Sequence, residues 1–540
     1  MNEEQSNLNQ LQTCAQDRPE TQPDPGESQP GASLRTPPVP YPKIRASGRD
    51  LALAGVLLIF CFLLWDALFW ADGLGLGEAI GLAALLPAAL IYLRDREGRL
   101  KGYGLACAVL YELGAVSLAF SADDTLKYLT VLALIPLFLI VILERLNLRT
   151  GLSLRARLND LFSAAFSMTF GRLGAGSWAL SHSGREDSVH VRRVRASLVG
   201  LLCAVPALLV VIPLLVSSDA AFAGLIGKLD MSSAIRGLIS LAVGGFTALM
   251  LFSLLFTSDR GPRGLAGTPR SGSEPAAIAA FLGAISAAYV LYLVSQFAYF
   301  TDAFRGLLPK DYTVAQYARR GFFEMFAIVA INLGLIVLAL GLVRKQEERI
   351  PGAVKGLALF LCLFSIALVA TALSKMVLYM GSFGLTRLRV LTSVFMVFLA
   401  VVLAAEGLKL FVRRVPVIQL AVTAGTLVLI LLSLANVDGV VARYNVDAYR
   451  TGKLDSLDVD TVCFLGDGAV PSLIELTQDE NKTISGKAEK ELENRLVRKQ
   501  MAERKGEELV PTGTGWDLRS WNLTGQRARD ALEDYQNRNK

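Results

Sequence analysis

The sequence predicts an all-α, polytopic membrane protein with about eleven spanning helices and a small helical domain after the last of them. Three observations carry that prediction. The 540-residue chain is 53% hydrophobic and only 19% charged, more apolar mass than a globular surface can cover. The apolar residues gather into runs of about 20, the length at which a helix crosses the hydrocarbon layer. These runs do not alternate apolar with polar residues and are about twice the length of a barrel strand, which excludes a membrane β-barrel.

Taken in order, residues 1–50 are polar and proline-rich (PETQPDPGESQPGASLRTPPVPYP) and lack an apolar core with a cleavage site. They are neither a signal peptide nor a domain, and are read as a disordered cytoplasmic tail. The transmembrane domain follows over 51–436. Its apolar runs are 51–71, 74–93, 103–120, 126–143, 197–216, 234–256, 276–297, 322–343, 354–373, 390–411 and 415–435. Prolines interrupt three of them, at Pro87, at Pro136, and at Pro206 with Pro213. Such residues free backbone carbonyls and permit bending, with or without a moving function.

Orientation follows from basic residues in the short loops. With the N-terminus in the cytoplasm, the inner loops hold Arg94, Arg96, Arg99, Lys101, Arg260, Arg263, Arg270, Arg344, Lys345, Arg349, Lys409, Arg413 and Arg414, besides the basic stretch 145–195. The outer loops are poorer in basic residues and include Asp123 and Asp124. The net charge of +6 is thus a topology signal, and nucleic acid is not a partner. An odd number of crossings puts the C-terminal region, 437–540, outside.

Inner loop 144–196 carries Leu158, Leu161, Phe162, Ala165 and Phe166 at helical spacing, beside Arg155, Arg157 and Arg172. It is a helix lying in the inner headgroup layer or one packed on neighbouring loops. His182 and His190 sit there without ligand-spaced partners, and the six cysteines form neither a disulfide framework nor a metal pattern. No cofactor or metal is implied. After 435 the chain turns polar. One helix continues the last span through Val440 to Tyr449; a second starts near LGDGAVPSLIEL, with Asp467 as cap and Pro471 in its first turn; a third covers 486–508; a short amphipathic helix follows Trp516 and Trp521, which pack the domain or anchor it at the lipid interface.

No hydrolase elbow, phosphate loop, zinc-protease helix or kinase signature occurs, so no catalytic residue is assigned. The candidate ligand site is polar and near the outer face. Arg320 and Glu324 lie one helical turn apart, with Arg319 beside them, at the mouth of the eighth run, and Asn332 lies two turns deeper. They form a structural pair or a substrate or ion site. Lys375, Arg387 and Arg389 bracket the hairpin between runs nine and ten and, with Arg319 and Arg320, break the positive-inside trend. Acidic partners or an anionic ligand would hold them. The acids available are Asp302, in Asp-Ala-Phe, which is similar to Asp66-Ala-Leu-Phe and Asp219-Ala-Ala-Phe, and Asp123 with Asp124. Glu112, midway through the third run, is either neutral against a polar neighbour or lining a water-filled path, and Glu78 is a lesser candidate. Glu406, Lys409 and Arg413 read as an interfacial stripe.

The pieces SQFAYF, YARRGFFEMFAIVAIN, KMVLYMGSFGLTRLR and NVDGVVARYNVDAYRTGKLD resemble a bacterial family of polytopic membrane proteins known as domain of unknown function 4173, related to 4153. The resemblance runs over roughly residues 51–476 and the terminal WNLTGQRA, and departs at Lys375, where the pattern has arginine, and in the long basic inner loop. It implies a bacterial cytoplasmic-membrane protein and carries no activity with it. The reading of the chain is a non-enzymatic membrane scaffold or envelope sensor, set in the lipid bilayer, whose outer domain meets an envelope protein. The alternative is a transporter or lipid-handling protein that uses Glu112, Glu324 and the basic outer cluster, with an anionic lipid headgroup as ligand.

Overall fold

The computed structural model describes residues 44–70, 74–94, 100, 102–146, 170, 173–181, 231–260, 273–305, 322–343, 350–412, 415–509 and 521–539. Every regular element among them is helical apart from one isolated bridge, Ser273 to Val343. The apolar helices are α1 (Gly48–Trp70), α2 (Leu76–Tyr92), α3 (Tyr103–Ser117), α4 (Asp124–Arg145), the short α5 (Leu173–Ser181), α6 (Met231–Arg260), α7 (Pro275–Arg305), α8 (Phe322–Leu342), α9 (Gly352–Phe383), α10 (Arg387–Lys409) and α11 (Val417–Ala435). Eight of these are long and apolar enough to cross a membrane, so the chain is an all-α, polytopic membrane protein.

Two expected spans come out short. α2 has 17 residues and α3 has 15, about 26 and 22 Å of helix. The run at 197–216 and the amphipathic segment at 158–167 lie outside the described residues, as do His182, His190, Pro206 and Pro213. Pro87 and Pro136 sit inside α2 and α4, which continue through them.

Helix starts follow ordinary capping chemistry. Ser47 precedes α1 and its backbone N–H donates to Asp50 three residues on, at 2.6 Å. Glu78 does the same for Gly75 at the start of α2, at 2.7 Å, so this carboxylate is a buried helix cap. Asp123 caps α4 and Thr386 caps α10.

Two apolar cores fill the bundle. One joins α1 to α4 with α5 and α6; the other joins α7 to α10 around α9; α11 packs on α3, α4 and α10. α1 and α6 meet closely, with Trp65 donating to Thr247 at 2.9 Å and Ser240 to Asp66 at 3.2 Å. Asp66 thereby ties two apolar helices together.

The polar C-terminal part folds as a helical cap whose core also takes in Leu126 of α4 and packs against Val390 and Leu391 of α10 and Leu429 and Leu432 of α11. It comprises α12 (Val437–Arg450), α13 (Val459–Cys463), a 3-10 turn at Asp467–Ala469, α14 (Val470–Leu476), α15 (Lys482–Leu509) and α16 (Leu523–Asn539). The sequence reading needs correction here. α12 does not continue the last span, because Asn436 takes a left-handed conformation (φ 49°) that ends α11 and caps a new helix. Asp467 lies within the 3-10 turn and does not cap α14, whereas Pro471 does occupy its first turn.

The α1 and α6 contact yields a paired test. A Cβ on Gly244 would come within 2.9 Å of the backbone at Cys61 and Phe62, whereas one on Gly245 would meet only Leu58, at 3.8 Å. Gly244→Ala therefore destabilises the protein by about 1–3 kcal/mol, while Gly245→Ala is neutral or stabilising. Thermal unfolding of both variants in detergent checks the difference.

Candidate functional site: the seam between bundle and cap

At one end of the bundle, helix termini from four parts of the chain meet the cap. Leu76 N at the start of α2 donates to Trp521 O at 2.9 Å, and Leu523 N at the start of α16 donates to Ala119 O, just past α3, at 2.8 Å. Thr524 donates its hydroxyl to Phe120 O at 2.7 Å. Helix ends leave backbone groups without intrahelical partners, and here the ends of bundle and cap satisfy one another. Trp521 is thus bound to the bundle through its backbone carbonyl; Trp516 lies outside the described residues.

The charges of the seam centre on Arg387, in the first turn of α10. Its Nη1 lies 3.3 Å from Asp123 Oδ2 and 3.5 Å from Asp438 Oδ2. Both carboxylates are largely buried: Asp123 also accepts from Leu126 N at 3.2 Å, and Asp438 from Gly466 N at 2.8 Å. The loop that presents Gly466 is held by Arg495, which donates to the carbonyls of Cys463, Leu465 and Gly466 and pairs with Glu491 at 2.9 Å. Asp438 Oδ1 is buried without a hydrogen-bond partner. Burial raises the Asp438 carboxyl above its ordinary pKa, and Asp123 adds to the rise; the Gly466 N–H, Arg387 and Arg495 act against it.

Two neighbours complete the seam. Asn445 on α12 accepts from Leu385 N at 2.7 Å and donates to Leu385 O at 2.8 Å, clamping the turn between α9 and α10. Gly384 precedes that turn at φ 70°, and a Cβ there would lie 2.6 Å from Asn445 Oδ1, so both conformation and space require glycine. Lys127, buried in α4, pairs with Asp124 at 3.3 Å and donates to Leu74 O.

The candidates from the sequence divide between places. Arg387 is in the seam, joined by Asp123. Arg389, two residues on, donates to Phe383 O and Gly384 O and lies over the Tyr379 ring at 4.2 Å. Its guanidinium caps α9. Lys375 does not bracket a hairpin, because α9 runs on to Phe383 and contains it. Asn332 is fully buried inside the membrane layer, accepting from Tyr289 at 2.8 Å and donating to Ser365 at 2.9 Å, which links α7, α8 and α9. Glu324 is exposed on the first turn of α8, and Glu112 is partly exposed on α3, next to the buried Tyr111. Neither joins the seam. Arg319 and Arg320 lie outside the described residues, Asp302 belongs to α7 with its side chain outside them, and Asp219 is outside them too. Glu406, read as part of an interfacial stripe, is instead fully buried and paired with Lys409 at 3.1 Å.

Among the described residues no cluster of His, Cys, Asp or Glu could hold a metal, and Cys61, Cys107, Cys362 and Cys463 are free thiols. A shallow apolar crevice between α8, α9 and α10, lined by Met325, Phe326, Val329, Leu368 and Met396 among others, has no room for a water molecule.

The family model described as Domain of unknown function (DUF4153) matches residues 105–476, from α3 through α14. The chain belongs to that family. The sequence pieces pointed to family 4173 with 4153 as its relative, and the match is to 4153. No curated protein and no solved structure matches the chain. The matched region holds Asp123, Arg387, Asp438, Asn445 and Gly466, so in this DUF4153 chain the ionic part of the seam lies within the family's span, whereas Arg495 and α16 lie beyond it.

Sequence reasoning missed Asp438, Asn445, Arg495 and Lys127. The first two stand inside NVDGVVARYNVDAYRTGKLD, where the resemblance marked the segment without giving any residue a role. Lys127 had a local signal, three residues after Asp124 at a span start. Arg495 had only its i,i+4 spacing from Glu491, which says nothing of the carbonyls 29 to 32 residues away that it holds.

Two outcomes test the seam. Arg387→Gln leaves Asp123 and Asp438 facing each other without their shared cation and costs about 1–3 kcal/mol, read as a lower melting temperature and faster protease release of the cap; Arg387→Lys recovers part of it. Because the folded-state pKa of Asp438 is raised, its contribution to stability is full below the ordinary carboxylate range and is lost as pH rises through the folded value. Asp438→Asn therefore flattens the fall in stability from acid toward neutral pH, checked by thermal unfolding across that range.

Proposed function

We propose that this protein is a non-enzymatic scaffold or envelope sensor of a bacterial cytoplasmic membrane. Residues 1–50 form its cytoplasmic tail, 51–436 its transmembrane domain, with the cytoplasmic loop 144–196, and 437–540 an extracytoplasmic module that meets an envelope partner. The observation that carries the reading is the shared Arg387. It fixes a separate helical module on the ends of the spans through groups that are already paired with one another, as a structural joint requires. The orientation is supported by the opposite end of the bundle, where Arg49 donates to the carbonyls of Ile91 and Tyr92 and Arg145 to Arg94 O, a basic end suited to the cytoplasmic face.

The second reading, a transporter or lipid-handling protein, is favoured by one observation. Glu112 stands partly exposed midway along an apolar helix, where a carboxylate is costly unless it has a task. In that reading Glu324 serves with Glu112 as a carboxylate of the path, and basic residues such as Lys375 and Arg389 would meet an anionic headgroup near the rim.

Fusions after Lys540 test the orientation: alkaline phosphatase is active and green fluorescent protein dark if the cap is outside, and the reverse pattern overturns it. For the role, each variant is returned to a strain lacking the protein. The scaffold reading expects Glu112→Gln to restore the envelope phenotype and Arg387→Gln to fail; the opposite result selects the transport reading.

A further inference from the structure

The helix α12 is separated from the last span by the left-handed Asn436, and its contacts define where it goes. Asp438 near its start lies 3.5 Å from Arg387, while Asn445 two turns later grips Leu385. Leu454, beyond its end, reaches Gly384. One short turn, 384–387, is therefore touched by residues two turns apart on the 14-residue helix, a rise of about 10 Å. A helix standing upright above the bundle would carry Asn445 and Leu454 away from that turn. α12 lies across the ends of the spans.

Its faces are equally well defined. Val441, Ala442, Asn445, Val446 and Ala448 are buried between α10 and α11 on one side and the 3-10 turn and α14 on the other. The uncovered stripe is Val440, Arg443, Tyr444 and Asp447, at the i, i+3, i+4 and i+7 positions of one helical face. Val440 is 52% exposed and Tyr444 42%. The stripe begins within two turns of the end of α11 in the chain, and Leu431 and Leu434 in the last turns of α11 and Leu388 at the start of α10 are exposed as well.

We propose that α12 is an interfacial helix whose Val440–Tyr444 stripe lies in the headgroup layer of the bilayer, at the rim of the spanning bundle. α12 starts where a membrane span ends, with one residue between them, and this position at the end of a span selects lipid as the occupant. Tyrosine is suited to this layer, with an apolar ring below and a hydroxyl in the wet zone, and Arg443 one residue away meets lipid phosphate. The cap is then held both by the seam and by the membrane surface, so that a change in the bilayer reaches α12 and, through Asp438, Arg387. This inference deepens the sensor reading but rests only on the bundle spanning the membrane, and holds whichever side the cap occupies.

The test places a reporter in the stripe of the full-length chain. Tyr444→Trp is reconstituted in vesicles of phosphatidylethanolamine and phosphatidylglycerol, and the emission of the parent protein, which has five tryptophans, is subtracted. The added emission is expected at short wavelength and loses most of its intensity when the lipids are brominated in the upper part of the acyl chain. Emission quenched by aqueous acrylamide and untouched by brominated lipid overturns the proposal, since the stripe then faces water. Emission insensitive to both also overturns it, because a protein surface then covers the stripe. Val440→Trp, one turn away, gives the same reading if the first variant does not fold.

Discussion

One guanidinium, that of Arg387, stands between two carboxylates that reach it from opposite directions in the chain, Asp123 at the head of α4 and Asp438 at the head of α12. The attachment of cap to bundle is built around this meeting. Two partly desolvated carboxylates repel each other unless a cation lies between them, and a buried carboxylate needs donors for its oxygens. Asp123 and Asp438 obtain them from backbone N–H groups, Leu126 and Gly466, which belong to the bundle and the cap respectively. Position is therefore imposed on both bodies at once. Arg495 plays the complementary part inside the cap, collecting the carbonyls of the loop that offers Gly466.

Elsewhere the molecule deals with polar groups in hydrocarbon by pairing them locally. Asn332 satisfies both ends of its amide against Tyr289 and Ser365 on neighbouring helices, and Glu406 is neutralised by a lysine on its own helix. Threonine hydroxyls such as Thr130, Thr371 and Thr426 return to carbonyls one turn earlier. Such groups fix which helices touch, because water is not present to replace a missing partner. Glu112 is handled differently, half out of the bundle on an otherwise apolar face, and for this reason it carries the alternative functional reading.

The architecture was legible because its signals are local. Apolar runs at 51–71 or 415–435 announce helices whatever surrounds them, and the described helices follow these runs closely. The errors occurred where one residue overrides a composition trend. The apolar and aromatic segment after Lys375 continues α9 instead of turning, since nothing stops the helix until Gly384 adopts positive φ. In the same way the smooth passage from the last span into NVDGVV conceals a break at Asn436, which is left-handed, lies against Gly468 and accepts from Gly439 N to start a new helix. Of the site, Arg387 was picked out as a basic residue on the wrong side of the positive-inside rule, and Asp123 as an acid on that same face. Hydropathy alone does not bring the two together.

By itself, then, the amino-acid sequence determined that the chain is helical, that it lives in a membrane, and which ends of its apolar runs carry charge. These properties depend on spacing and composition within a few turns, and the cost of exposing apolar side chains to water enforces them without regard to the rest of the fold. Only the tertiary structure decided which charges meet. Asp123 lies 264 positions from Arg387 and Asp438 lies 51 from it, and a Coulomb or hydrogen-bonding interaction is set by distance in space, which no local pattern of residues encodes.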